Sequence, residues 1–68
     1  MPCRKDATLH DAEMFNSFHM LRIDIEELKR SLAQGSRLEL EESEFEDPGP
    51  DYVALFLDGK RVGYWPGY

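Results

Sequence analysis

The sequence predicts an α+β fold in which one long N-terminal helix packs on a three-stranded antiparallel β-meander, in the order α-β-β-β. Three observations lead to this fold class. Apolar residues recur at helical spacing in the first half, the spacing changes to alternation after Gly35, and two turn signals divide the second half into strands. With 68 residues, the chain is expected to form a single small domain over 1–68.

The helix is predicted over about 9–34, a stretch without proline or glycine. Thr8 and Asp11 match a capping box at its start, with Asp11 itself as the alternative N-cap, and Gly35 is a suitable left-handed C-cap at its end. Residues 1–8 show no periodicity and are expected to fray. The apolar residues of the helix are spaced 4, 3, 4, 3 and 4 apart and form one stripe: Met14, Phe18, Leu21, Ile25, Leu28 and Leu32.

The second half of the chain is predicted to form the strands. The first strand alternates leucine with charged residues, and the phase change at Phe45 predicts a bulge near Glu41–Glu42. Asp58-Gly59 is the strongest short signal for a two-residue hairpin turn of type I′. The predicted strands span about 37–46, 52–57 and 60–65.

The predicted turn decides which residues of the last two strands share a face of the sheet. A two-residue loop places Val53 opposite Tyr64 on the helix side of the sheet, and Tyr52 opposite Trp65 on the other side. The predicted core is then Phe18, Leu21, Ile25, Leu28, Leu32, Leu38, Leu40, Val53, Leu55, Leu57, Val62 and Tyr64.

The sheet face that the helix leaves uncovered is the first candidate site. Its aromatic side chains are expected to flank a shallow floor formed by Ala54 and Gly63, and exposed aromatic residues of this kind are typical of interface hot spots. Burial against a dimer mate or the N-terminal segment is the other interpretation, because small domains without disulfides need additional cover. The residues predicted to contact a partner on this aromatic face are Tyr52, Phe56, Arg61 and Trp65.

The negative charge lies in one stretch, which is the second candidate site. The chain has 14 acidic and 8 basic residues, a net charge of −6, and no basic residue lies between Glu39 and Asp51. One interpretation of this stretch is structural: charge on a solvent-exposed edge strand prevents edge-to-edge aggregation. The functional interpretation is an acidic arm that steers the chain to a basic surface, including that of a nucleic-acid-binding protein. The arm comprises Glu39, Glu41, Glu42, Glu44, Glu46, Asp47 and Asp51.

The sequence offers no pattern for catalysis, a metal site or a cofactor. His10 and His19 fall on opposite sides of the predicted helix and Cys3 lies apart from both, so no zinc site is expected. A nucleophile triad and a phosphate-binding glycine loop are both missing, which argues against an enzyme.

Charge and hydropathy restrict the expected partners and location. Net acidity argues against direct binding of nucleic acid or an anionic membrane surface. No apolar run approaches the ~20 residues that span a bilayer. A single cysteine without a leader peptide favours the cytoplasm.

Together these features predict a non-enzymatic protein-binding module that docks the acidic arm and the aromatic face on a larger basic protein. Small size and acidity are shared with phage inhibitors, antitoxins and immunity proteins, a similarity of class that no motif carries. The alternative is a homodimeric structural or accessory subunit with the aromatic face and the helix buried against its mate. Apolar residues off the main helix stripe support that alternative, namely Phe15, Met20 and Ile23.

Overall fold

A computed structural model of the protein describes residues 3–42 and 52–66, which form two helices and a four-stranded antiparallel sheet. The α+β class is therefore confirmed, whereas the single helix and the three-stranded meander are not. The sheet order is β1-β2-β3-β4. The elements are β1 (Cys3–Asp6), α1 (Leu9–Ser17), α2 (Ile25–Ala33), β2 (Leu38–Glu42), β3 (Tyr52–Leu57) and β4 (Lys60–Pro66).

The predicted helix over 9–34 is divided in two because local backbone hydrogen bonds end α1. His19 adopts a left-handed conformation with φ of 59°, which histidine tolerates better than most residues. The His19 N–H donates to the Asn16 carbonyl at 3.1 Å, and the Met20 N–H donates to the Phe15 carbonyl at 2.8 Å. This pair of bonds is a Schellman motif, which satisfies the last carbonyls of α1 and turns the chain away.

The remaining helix ends follow ordinary capping chemistry. Asp24 begins α2, and its carboxylate accepts the Glu26 N–H at 2.8 Å. The predicted caps are confirmed: the Asp11 carboxylate accepts the Thr8 N–H at 2.8 Å in a capping box, and Gly35 has a φ of 98° after α2. The sequence therefore predicted the outer ends of the helical region but not the break between the two helices.

An additional strand, β1, lies where residues 1–8 were expected to fray. Cys3–Asp6 pairs antiparallel with β2. Arg4 contacts Glu41 at 2.9 Å and Lys5 contacts Glu42 at 3.0 Å, so opposite charges align across the two strands. The expectation of fraying is wrong for these four residues, because they pair with β2 and the ion pairs of Arg4 and Lys5 outweigh the like charges of Asp6 and Glu39, which lie opposite each other.

Strand β2 pairs with β3 without interruption from Leu38 to Glu42. No bulge therefore interrupts the pairing at Glu41 or Glu42, contrary to the prediction for these two residues. The rest of the predicted strand 37–46, including Phe45, lies outside the described residues.

The β3–β4 hairpin contains the bulge instead. Asp58 and Gly59 have φ values of 50° and 84°, which confirms the type I′ turn. The first two pairs follow the predicted register, and then Val62 is inserted as an extra residue. Beyond Val62 the partners are Leu55 with Gly63, Ala54 with Tyr64, and Val53 with Trp65.

The bulge exchanges Tyr64 and Trp65 between the faces of the sheet. Trp65 lies on the helix side, with its ring 6.3 Å from that of Phe15 in an edge-to-face arrangement. Tyr64, predicted in the core, lies on the opposite face beside Tyr52. Gly63 is buried on the helix side and does not form part of an open floor.

Segment 20–22, between the helices, covers the outer edge of β4 at the bulge. The Arg22 N–H donates to the Val62 carbonyl at 2.7 Å, and the Tyr64 N–H donates to the Met20 carbonyl at 3.2 Å. An isolated bridge joins Leu21 to Gly63. The connector thus satisfies backbone groups that an edge strand would leave open.

The core lies between the helices and one face of the sheet. Phe18 was predicted to be buried but is 53% exposed, and Phe15 is 3% exposed. The end of α1 at Ser17 breaks the predicted stripe, so Phe15 and not Phe18 faces the sheet. Six predicted core residues are half-buried against this core: Leu21, Ile25, Leu32, Leu40, Val53 and Leu57. The buried cluster consists of Ala12, Phe15, Leu28, Leu38, Leu55 and Val62.

Neither helix of the described chain is long and apolar enough to cross a membrane.

Candidate functional site

The sheet face opposite the helices, called the open face below, receives side chains from all four strands. Because side chains alternate along a strand, the pairing register determines which residues share this face. The open face carries Arg4 and Asp6 from β1, Glu39 and Glu41 from β2, Tyr52, Ala54 and Phe56 from β3, and Arg61 and Tyr64 from β4.

Three half-buried aromatic rings give the open face its apolar surface. The rings of Tyr52 and Tyr64 are stacked, with centroids 5.8 Å apart and planes at 26°. The Arg61 guanidinium lies 5.2 Å from the Tyr64 ring centroid, and the Arg4 guanidinium lies 4.1 Å from that of Phe56. Each cation–π contact contributes about 0.5–1 kcal/mol at a surface site and also restrains the ring.

Ion pairs connect the first two strands across the same face. Arg4 lies 2.9 Å from Glu41 and 4.0 Å from Glu39, so it bridges both carboxylates. Arg37 lies 3.7 Å from Glu39 and 3.1 Å from Asp6, which extends the row towards the hairpin end of the sheet. The carboxylate side chains of Glu39 and Glu41 are 22% and 15% exposed, so these pairs are less screened by solvent than the outer pair with Asp6.

Tyr52 joins the aromatic rings to the ion pairs. Its hydroxyl donates to Glu41 Oε1 at 3.2 Å. Burial first, and then the hydrogen bond and negative charge of Glu41, raise the pKa of Tyr52 above its ordinary value of 10.0. Tyr52 therefore remains a neutral hydrogen-bond donor at neutral pH, and its ring is held against Tyr64.

The predicted aromatic site is only partly brought together. Tyr52, Phe56 and Arg61 lie on the open face, whereas Trp65 is on the helix side, so its assignment to the aromatic face is wrong. Tyr64 lies on the open face instead, opposite Ala54, where Gly63 was expected. An isolated glycine inside a strand often marks a bulge, and Gly63 was the signal in the sequence that could have identified this exchange.

The acidic arm is partly neutralised where the structure describes it. Glu39 and Glu41 pair with arginines, and Glu42 pairs with Lys5 at 3.0 Å. The basic residues of the first segment, Arg4 and Lys5, were the missed members of this site. The remaining residues of the arm lie outside the described residues: Glu44, Glu46, Asp47 and Asp51.

A separate groove lies between the start of α2 and the β3–β4 hairpin. Its volume is about 570 Å³, and it is lined by the basic residues Arg22, Lys60 and Arg61 and by the acidic residues Asp24 and Glu27. This mixture of charges gives the groove no clear preference for an anionic or a cationic ligand. Within 3–42 and 52–66, no cluster of His, Cys, Asp and Glu could hold a metal ion.

Comparison of the chain with protein-family models, with curated proteins and with solved structures finds no match. The functional proposal therefore rests on the geometry of the chain itself.

Proposed function

We propose that the chain is a protein-binding module, not an enzyme, that docks its open face on a larger protein with a basic surface, as a small inhibitor or adaptor does. The arrangement of Tyr52, Phe56 and Tyr64 on a sheet face without helices carries this proposal. Tyrosine and arginine are enriched at binding hot spots, and this face presents both. A reducing compartment such as the cytoplasm suits a chain with one cysteine.

The contacts around the rings supply preorganisation. Arg4 and Arg61 lie over two of the rings, and Glu41 holds the hydroxyl of Tyr52. Side chains that are already fixed lose less conformational entropy when a partner binds. The open face therefore combines apolar area with polar groups in set positions, the combination that a specific docking surface needs.

The chain's charge supports a basic partner. The described open face is balanced, because Arg4, Arg37 and Arg61 offset its carboxylates. The net charge of −6 nevertheless makes the whole chain attractive to a basic protein, including a nucleic-acid-binding one, over distances near the Debye length of ~8 Å at physiological salt. In this proposal the acidic arm steers the first encounter with the partner, and the aromatic rings make the contacts that stabilise the complex.

Affinity capture with matched variants tests this proposal. Wild-type protein and the variants Phe56→Ser, on the open face, and Gln34→Ser, at the exposed C-terminal end of α2, are immobilised and exposed to lysate of the source cells. We expect wild type and Gln34→Ser to retain the same basic protein, Phe56→Ser to lose it, and retention to weaken at high salt. Circular dichroism confirms that each variant is folded. If Phe56→Ser retains the same proteins as wild type, the open face is not the docking surface.

A second candidate function is the homodimeric accessory subunit. One observation favours it: Met14 and Phe18, one turn apart on the α1 side, are 43% and 53% exposed. In this candidate a mate packs on α1 and covers them. Sedimentation equilibrium distinguishes the candidates, because a homodimer requires the protein alone to associate at micromolar concentration and Phe18→Ser to shift it towards monomer.

A further inference from the structure

A small apolar groove lies on the helix side of the sheet, between α1 and the strands β2, β3 and β4. Its volume is about 200 Å³. Pockets for small-molecule ligands usually measure ~300–1,000 Å³, so this groove is closer in size to a single protein side chain. It is lined by Asp11, Met14, Phe15, Leu40, Glu42, Val53 and Trp65.

The rim of this groove is the most exposed apolar surface of the described chain. Met14 lines the groove and is 43% exposed, and Phe18, 53% exposed, has its ring 5.0 Å from that of Trp65. Met14 and Phe18 are four residues apart and lie along one line at the C-terminal end of α1. An apolar pit beside an exposed apolar ridge is the form of site that receives an anchoring side chain from a partner.

The charged residues that line the groove favour a partner segment with positive charge. Both ionisable lining residues, Asp11 and Glu42, are acidic. The Asp11 carboxylate accepts hydrogen bonds from Thr8, and the described residues offer it no ion pair. Glu42 shares its charge with Lys5, whose side chain is 61% exposed. Cationic residues flanking an apolar anchor would therefore meet carboxylates on the rim of the groove.

We infer that this groove binds an amphipathic, basic helix of another protein, with one apolar side chain inserted between Met14 and Trp65. The one-turn spacing of Met14 and Phe18 matches the ridge-into-groove packing of a second helix against α1. A second copy of the chain fits poorly, because α1 has Asp11 and Glu13 but no lysine or arginine, so two such helices would bring like charges together. This site lies on the opposite side of the sheet from the open face and does not depend on what the open face binds.

Trp65 is the only tryptophan in the chain and lines the groove, so its fluorescence reports on occupancy. The probe is a short synthetic helical peptide with leucines on one face and lysines on the other. Two control peptides accompany it: one with glutamates replacing the lysines, and one with the same composition in scrambled order, which has no apolar face. We expect the lysine helix alone to shift the Trp65 emission to shorter wavelength in a saturable way.

Variants on the two faces separate this site from the open face. Met14→Gln removes an exposed apolar side chain while retaining helix propensity, and we expect it to weaken binding of the lysine helix by about tenfold. Phe18→Gln provides a second test at the ridge, and its affinity is measured by calorimetry because its ring lies near Trp65. Phe56→Ser, on the open face, should bind as wild type does.

Three outcomes would overturn the inference. The first is equal binding of the lysine helix and its scrambled control, which would mean attraction by net charge alone. The second is unchanged affinity in both Met14→Gln and Phe18→Gln. The third is a dimer of the protein alone that Met14→Gln dissociates, which would make a second copy the occupant. Loss of the proposed partner in Phe56→Ser without loss of peptide binding would show that the two sites are separate.

Discussion

The two faces of the sheet are built from the same strands but hold their aromatic residues differently. On the open face, Tyr52 and Tyr64 stack and are fixed by charged and hydrogen-bonding neighbours. On the helix side, Trp65 lies against Phe15 and Phe18 in apolar contact. The difference arises from one inserted residue, Val62, because a shift of one position moves every later side chain of β4 to the other face. Strand register, and not composition, therefore decides which aromatic residue a partner meets.

Leu28→Ala should have the largest effect on stability, because Leu28 is fully buried between α2 and the sheet. Removing a buried leucine side chain costs ~2–5 kcal/mol through lost transfer energy and the cavity that remains. Urea denaturation followed by circular dichroism measures the loss. The matched open-face variant is Phe56→Ala, which removes a larger but only half-buried side chain and should cost less. Equal losses would mean that the open face is covered as fully as the helix side.

Gly63→Ala tests the close packing at the bulge. A Cβ atom at Gly63 would lie 3.0 Å from Phe15 Cδ2 and 3.2 Å from Leu55 Cβ. Overpacking of this kind typically costs ~1–3 kcal/mol. Combining Gly63→Ala with Phe15→Leu, which removes the clashing ring, should cost less than the sum of the single variants. Additive losses in the double-mutant cycle would contradict the contact between Gly63 and Phe15.

Arg4→Ala tests the lattice of polar contacts on the open face, meaning the ion pairs and cation–π contact of Arg4 and the hydrogen bond between Tyr52 and Glu41. Arg4 contacts the Phe56 ring and two carboxylates, so its loss should cost about 1 kcal/mol, less at high salt. The positive charge of Arg4 also lowers the pKa of Tyr52 and opposes the effects of burial and Glu41. Arg4→Ala should therefore raise the pKa of Tyr52 further, as measured by ultraviolet titration, and Arg4→Lys should reverse part of that change. A Tyr52 titration identical to that of wild type would place Arg4 away from this lattice.

Asp58→Asn should have the smallest effect on stability, and this effect should appear only at low pH. The Asp58 carboxylate accepts the Arg37 N–H at 2.8 Å, and this bond, followed by one from Ser36, lowers the pKa of Asp58 below its ordinary value of 3.8. The stabilisation is complete above pH 3.8 and is lost as the pH falls through the lowered pKa of the folded state.

Asparagine suits the type I′ turn and keeps an acceptor oxygen, so Asp58→Asn should be close to wild type at pH 7. The variant should lose less stability than wild type on acidification. Parallel acid-unfolding curves for the two proteins would show that Asp58 does not carry this pH dependence.

The sequence predicted the parts of the fold that depend on local interactions. The capping box at Thr8, the C-cap at Gly35 and the turn at Asp58-Gly59 were all correctly identified, because each depends on backbone chemistry within a few residues. The break between the helices was missed because the apolar stripe continued through it. Its signal was present in Asp24, an N-cap residue followed by two acidic residues in the first turn of α2.

The features that depend on contacts between distant parts of the chain were harder to predict from the sequence. β1 has no periodicity of its own and forms because Arg4 and Lys5 find carboxylates on β2. Of the four residues assigned to the aromatic face, Tyr52, Phe56 and Arg61 share a face of the sheet as predicted, whereas Trp65 lies on the other face. Gly63 is a local signal for a bulge, but no local rule names Phe15, from another part of the chain, as the side chain that packs against it.

The positions of Tyr64 and Trp65 define the two faces of the sheet, and nuclear Overhauser spectroscopy can measure them without any substitution. The structure predicts cross-peaks from the Trp65 indole to the rings of Phe15 and Phe18, and from the Tyr64 ring to that of Tyr52. Cross-peaks from Trp65 to Tyr52, with Tyr64 close to residues of the buried core, would restore the unbulged register. That result would contradict both the open-face binding site and the groove beside α1.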